Sequence, residues 1–152
     1  MGARADIAKI AASSANACSG PAWREVDRLA ALDRYAILDT LPEIGFDEIT
    51  ELAAQICDCP AALVSFIDPS RQWIKAKYGL PAELSECPRE ISVCKVTICN
   101  NDILYVPDLL SDERFNTSPL VTGGLKLRFY CGVPLITQDG YALGTLCVVD
   151  FK

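Results

Sequence analysis

The sequence predicts an α+β domain in which one antiparallel sheet carries helices on one face. Three observations carry that prediction. Helical apolar periodicity is confined to the first third of the chain, the stretch 61–78 turns back on itself as two strands, and the stretch 127–150 pairs again across an Asp-Gly turn. With 152 residues there is room for one domain with a single substantial core.

From about Pro21 the composition turns to amphipathic helix: Val26, Leu29, Leu32 and Ala36 recur at helical spacing, with Arg24, Asp27, Arg28 and Arg34 opposite. "DTLPE" breaks it. A second helix is predicted over Ile44–Cys57, its stripe formed by Phe46, Ile49, Leu52, Ala53 and Ile56, with Pro60 beyond its end. "AALVSFID" (61–68) suits a buried central strand, and "DPSR" leads into a second strand in which Ile74, Ala76 and Tyr78 alternate with Lys75 and Lys77. A short helix is expected around Ser92–Ile98, then a brief strand "ILYVPD". "LLSDERFNTSPLVTGG" is rich in turn formers and reads as a long covering loop with a helical turn or two. "LRFYCGVPLIT" and "YALGTLCVVD", joined through Asp139 and Gly140, form the clearest antiparallel pair.

Composition narrows the function. A net charge of -6 without a block of Lys or Arg gives no basis for gripping nucleic acid or anionic lipid. No apolar run approaches the ~18 residues of a membrane span. The absence of His removes imidazole bases and mixed Cys/His zinc sites. Eight cysteines raise the question of a secreted disulfide framework. Several lie inside apolar segments, where a thiol behaves as a small buried hydrophobe, and residues 1–22 lack a continuous apolar signal region. These features predict a flexible N-terminal tail, reduced thiols and a cytoplasmic location.

Six segments, "LDRYAILDTLPEIGFDEITELAA", "ALVSFIDPSRQWIKAKYGL", "PREISVCKVTI", "VPDLLSDERFNTSPLV", "LRFYCGVPLIT" and "DGYALGTLCVVD", together resemble a bacterial GAF domain of the kind that precedes sensor histidine kinases and diguanylate cyclases. The resemblance runs in order over roughly residues 28–150. It implies a central antiparallel sheet, helices on its back, and on its front a pocket roofed by Leu80–Gly124. It further implies a sensory module that binds a small ligand or partner, signals to an output kinase or cyclase domain, forms homodimers through terminal helices, and catalyses nothing. The cofactor is not specified. Relative to that pattern the domain at 23–152 is expected to lack the long closing helix.

Cys94 in "SVCKVTI" has three readings. It can be a packed thiol beneath the roof, which its apolar setting favours. Bilin-binding relatives hold their chromophore through a Cys at about this position with a neighbouring His, and here Lys95 and Val96 stand where a His would be. Reactive thiols sit near helix starts and cations, as Cys94 does with Lys95 and Arg89. The last reading resembles the free methionine sulfoxide reductases, although Cys87 and Cys94 are closer together than in that branch and no third thiol lies near Asn116. The resemblance assigns Trp73, Cys94, Val106, Asp108, Phe115, Phe129 and Tyr130 to the pocket. Asp108 has a local alternative as the cap of the following turn. Cys57 and Cys59 read as helix-end packing rather than metal ligands, and Cys131 and Cys147, on facing strands, could approach each other, with their apolar setting favouring two reduced core residues.

Overall fold

The computed structural model describes Ala8 and residues 23–152; the predicted tail at 1–22 lies, but for Ala8, outside the described residues. Two helices, α1 (Glu25–Tyr35) and α2 (Ile44–Ile56), precede strands β1 (Ala61–Ile67), β2 (Arg71–Tyr78) and β3 (Glu86–Pro88). A 3-10 turn (Arg89–Ile91) and the short helix α3 (Cys94–Thr97) lead to β4 (Leu104–Val106). The one-turn helix α4 (Pro119–Thr122) and the strands β5 (Phe129–Ile136) and β6 (Ala142–Asp150) complete the chain. The six strands form one antiparallel sheet in the order β3-β2-β1-β6-β5-β4.

The sheet separates two layers. On its back, α1 and α2 pack against Ala62, Val64, Phe66, Trp73, Phe129, Cys131 and Val148. On its front, Leu63, Ile67, Tyr130, Cys147 and Val149 meet the roof formed by α3, α4 and their connections. All seven residues of β1 are buried, which is why "AALVSFI" is apolar throughout with only Ser65 polar.

Both helices exist where their periodicity places them, but each is rotated. In α1 the buried positions are Arg28, Ala31 and Leu32, while Val26 is 65% exposed. Arg28, which the helical periodicity places opposite the apolar stripe, is fully buried: its guanidinium lies over the Trp23 ring, pairs with Glu25 and donates to the Ala142 carbonyl. In α2, Thr50 and Ala54 are buried against the sheet, while Ile49, Leu52 and Ile56 face outward. Small side chains at the contact let the helix sit close to the sheet, and this outweighs the larger apolar stripe beside them.

Alternation along the strands decides two placements. Lys75 follows Trp73 into the back layer, where its Nζ donates to Thr40 Oγ1 and the Leu41 carbonyl, both at 2.7 Å, and pairs with Glu43 at 2.6 Å. The register of β5 on β6 pairs Cys131 with Val148 and Gly132 with Cys147. Because side chains alternate, Cys131 faces the helices and Cys147 the front, so these two thiols do not meet. Cys87, Cys94, Cys131 and Cys147 are free thiols.

Gly144 marks the closest approach between the first and last strands of the domain. A Cβ there would lie 1.9 Å from the Ser65 carbonyl oxygen, an impossible contact with rigid backbone. Gly144→Ala is therefore expected to cost about 3 kcal/mol of folding free energy, read as a lowered urea midpoint with unchanged m-value.

Candidate functional site

A cavity of about 50 Å³ lies between the front of the sheet and the roof. Its walls are aliphatic, with Leu63, Ile74, Leu80, Val93, Leu125 and Leu127 prominent, and its lining contains no charged side chain. Its floor is polar: Gln72 from β2, Tyr130 from β5, Cys147 from β6 and Cys94 from the start of α3 converge there, with Cys87 of β3 at one side.

Gln72 is the hub of this floor. Its Nε2 donates to Ser65 Oγ at 2.9 Å and to Cys94 Sγ at 3.3 Å. Its Oε1 accepts from Ser92 Oγ and from Cys87 Sγ, the latter at 3.7 Å. One amide thus joins the second and third strands to the helix that carries Cys94. Tyr130 Oη donates to Cys94 Sγ at 3.4 Å and shares a 2.6 Å hydrogen bond with Thr97 Oγ1. Gly132 makes room for that hydroxyl, since a Cβ at 132 would stand 2.3 Å from it.

Cys94 and Cys147 are both buried, with their sulfurs 3.9 Å apart. Donation from Cys147, helped by Thr145, Tyr130 and Ser65, holds the Cys94 thiol below its ordinary range against the opposing effect of burial. Cys147 shifts the other way, held protonated first by its hydrogen bond to Cys94 and then by burial. Of the two, Cys94 is thus the thiol that its surroundings favour for loss of a proton. Burial raises Cys87 to about 12 and Cys131 to about 12, so those thiols stay protonated.

Of the residues assigned to a pocket from sequence, Cys94 and Tyr130 line this cavity together. Val106 is buried in the front core without reaching the cavity wall. Phe115 belongs to the front core and also lines a second, more polar depression outside α3, beside Lys95 and Arg114. Trp73 and Phe129 point into the back layer. Asp108 is partly exposed, away from the cavity lining, and accepts from the Leu110 amide and the Ser111 hydroxyl, which is the turn-capping role. Gln72 and Cys147 escaped the sequence reading. A Gln in the strand "RQWIKAKY" and the alternation of "TLCVV" were the available signals.

A family model for the GAF domain matches residues 24–152. The chain belongs to the GAF domain family. It is 37% identical over 126 residues to a cyclic di-GMP phosphodiesterase of Pseudomonas aeruginosa, an alignment that takes in 83% of this chain and 21% of that protein. The chain thus spans about a fifth of the length of that relative. Among solved structures, the GAF domain of a phosphoenolpyruvate-protein phosphotransferase from Coxiella burnetii superposes with a TM-score of 0.60 at 13% identity, covering 84% of this chain and 77% of that one. A type II free methionine-R-sulfoxide reductase from Thermoplasma acidophilum superposes with a TM-score of 0.58 at 14% identity, covering 80% and 78%. At such identities these likenesses show the fold alone. The GAF domain here is a regulatory signalling fold with enzymes among its structural neighbours.

The roof of this GAF domain is tied to its helical layer by charge. Glu25 accepts from Arg28 Nη2 at 2.8 Å and from Arg89 Nη1 at 2.6 Å, and Arg89 also donates to the Asp68 carbonyl. The Arg28 hydrogen bond first, then Arg89, brings the Glu25 carboxyl down to about 2 from 4.5. Its depressed folded pKa makes this stability complete above pH 4.5 and lost as pH falls toward 2. Solvent screening leaves about 1 kcal/mol, so Glu25→Gln should flatten acid unfolding across that window by that amount. Gln72→Leu should cost about 2 kcal/mol in urea unfolding, because the buried Ser92 hydroxyl loses its acceptor.

Proposed function

We propose that this GAF domain is a sensory module of bacterial signal transduction that takes a small, uncharged, largely apolar molecule into the front cavity and turns nothing over. The observation that carries this reading is the cavity itself, aliphatic in its walls, uncharged throughout its lining and polar only at its floor. Such a lining binds by excluding water from apolar surface and orients its guest through the Gln72 amide and the Tyr130 hydroxyl. At about 50 Å³ the cavity holds a larger guest only when the roof moves, and that roof consists of the one-turn helices α3 and α4 with their connections.

Charge argues against the alternatives. A cyclic dinucleotide or the zwitterionic free methionine sulfoxide would bring ions into a lining with no cation or carboxylate to meet them. A bilin would also need far more space. In this reading the protein works in the cytoplasm and passes its signal to an attached kinase, cyclase or phosphodiesterase domain. The name of the Pseudomonas relative supports the last of these. Homodimerisation, or docking of the output segment, is supported by the outward apolar face of α2 at Ile49, Leu52 and Ile56, continued by Leu41 and Ile44.

A thermal-shift screen tests the proposal. Short aliphatic and aromatic alcohols, ketones and acids should raise Tm most when uncharged, with about 2.7 kcal/mol expected at a hundredfold excess over Kd. Leu125→Trp, which fills the mouth, should abolish the shift while leaving the protein folded. A shift with cyclic di-GMP or methionine sulfoxide and none with the apolar panel would overturn the reading.

A further inference from the structure

The three thiols around the cavity are not needed for a guest that is simply held, and two of them are placed for chemistry with each other. Cys94 and Cys147 lie on different elements, α3 and β6, with sulfurs 3.9 Å apart, and both contribute to the cavity lining. The free volume of about 50 Å³ exceeds what one water needs, so a molecule of two oxygens fits without movement of the roof. Tyr130 Oη and Gln72 Nε2, at 3.4 and 3.3 Å from Cys94 Sγ, stabilise negative charge on that sulfur.

We propose that Cys94 and Cys147 form a peroxide-oxidised dithiol site, in which hydrogen peroxide entering the front cavity converts the pair to a disulfide joining the roof to the centre of the sheet. The inference uses the same cavity as the proposed function but does not depend on a reversible ligand. In the first step the Cys94 sulfur attacks one peroxide oxygen, the O–O bond breaks, and the other oxygen leaves as water with the thiol proton. Cys94 is then a sulfenic acid. The Cys147 sulfur next attacks the Cys94 sulfur, the S–O bond breaks, and hydroxide leaves as a second water with the Cys147 proton. Two thiols lose two electrons and one peroxide becomes two waters.

The roles of the sulfurs follow from their surroundings. Cys94 is the attacking atom because the donors converge on it, and the lowered proton affinity described above agrees with that order. Cys147 is the resolving thiol because it is the sulfur within 3.9 Å. Closing that gap to the ~2.05 Å of a disulfide requires movement of nearly 2 Å. The movement falls to α3, a four-residue helix, because Cys147 is fixed in a central strand paired on both sides. The Ser92 hydrogen bond to Gln72 sits two residues from Cys94, so oxidation displaces the hub of the cavity floor as well. Cys87, protonated and hydrogen bonded to Gln72, is the competing partner that the test must separate.

The test uses the full chain, freshly reduced, treated with hydrogen peroxide, quenched in acid, unfolded and alkylated before intact-mass and peptide analysis. The eight alkylatable thiols should fall to six, with the cross-linked peptides containing Cys94 and Cys147, and a thiol reductant should restore eight. Cys94→Ser should retain its thiols under the same dose. Cys147→Ser should stop at a Cys94 sulfenic acid that dimedone traps. Free Cys94 and Cys147 after oxidation, or a Cys87–Cys94 cross-link in their place, would overturn the assignment, and the wild-type map decides this even if a variant fails to fold. Apolar-ligand stabilisation measured on Cys94→Ser keeps the two proposals apart, since the reversible guest needs the cavity and not the thiol pair.

Discussion

The pairing of β1 with β6 is the constraint on which everything else rests. It joins the first strand of the sheet to the last, in a continuous register from Ala61 with Val149 to Phe66 with Gly144. Contacts of such long sequence separation are entropically expensive to form, so the chain between them must fold as a unit once they meet. The register also decides what faces the cavity. Because Leu63 pairs with Cys147 and Ser65 with Thr145, one front-facing column combines an aliphatic wall with a thiol and two hydroxyls, while Ala62, Val64 and Phe66 go to the helices. A slip of one residue would exchange the two sets.

The two faces of the sheet are filled on different principles. The back is closed by direct packing, with Ala54 and Thr50 of α2 and Ala31 and Leu32 of α1 set against the strands. Its buried cations, Arg28 and Lys75, are each supplied with hydrogen-bond acceptors, so that their burial is tolerated. The front is closed by short helices and turns, whose side chains reach the sheet less uniformly and leave space. A polar floor beneath aliphatic walls is stable only because each buried polar group has a partner: Ser65, Gln72, Ser92, Thr97 and Tyr130 all hydrogen bond to one another or to Cys94.

Elements and their order were legible in the sequence because helical and strand periodicities do not resemble each other over ten residues, and because Asp139-Gly140 leaves little choice of turn. The faces were less legible. In α2 the large apolar residues point outward, since small residues set how close a helix comes to a sheet, and residue size misleads when it is used as a proxy for burial. The candidate site shows the same effect one residue at a time. Trp73 and Phe129 attract attention by size, yet their neighbours Gln72 and Tyr130 face the cavity, and only the strand register distinguishes adjacent positions. Cys94 was legible from its place before a short helix. Cys147 was not, because a thiol within "TLCVV" has no local mark that separates a core residue from a cavity residue.

The connection from cavity to helices follows from where the roof is anchored. Besides its pairing with β2, the segment from β3 to α3 is anchored by side chains at Arg71 to Glu86, Arg89 to Glu25 and to the Asp68 carbonyl, Ser92 to Gln72, and Cys94 to the floor. Three of these lie within the domain's front or edge, and one, Arg89 to Glu25, reaches the first helix. Glu25 is in turn shared with buried Arg28, whose guanidinium touches the start of β6 through the Ala142 carbonyl. A displacement of α3 that drags Arg89 must therefore either release Glu25 or move α1 with it. Release leaves Glu25 with its two hydrogen bonds from Arg28 in the same helix and Arg89 with the Asp68 carbonyl, so α1 follows the roof only while the Arg89–Glu25 ion pair holds. A guest that lifted the roof and a disulfide that drew it down would load that one ion pair in opposite directions.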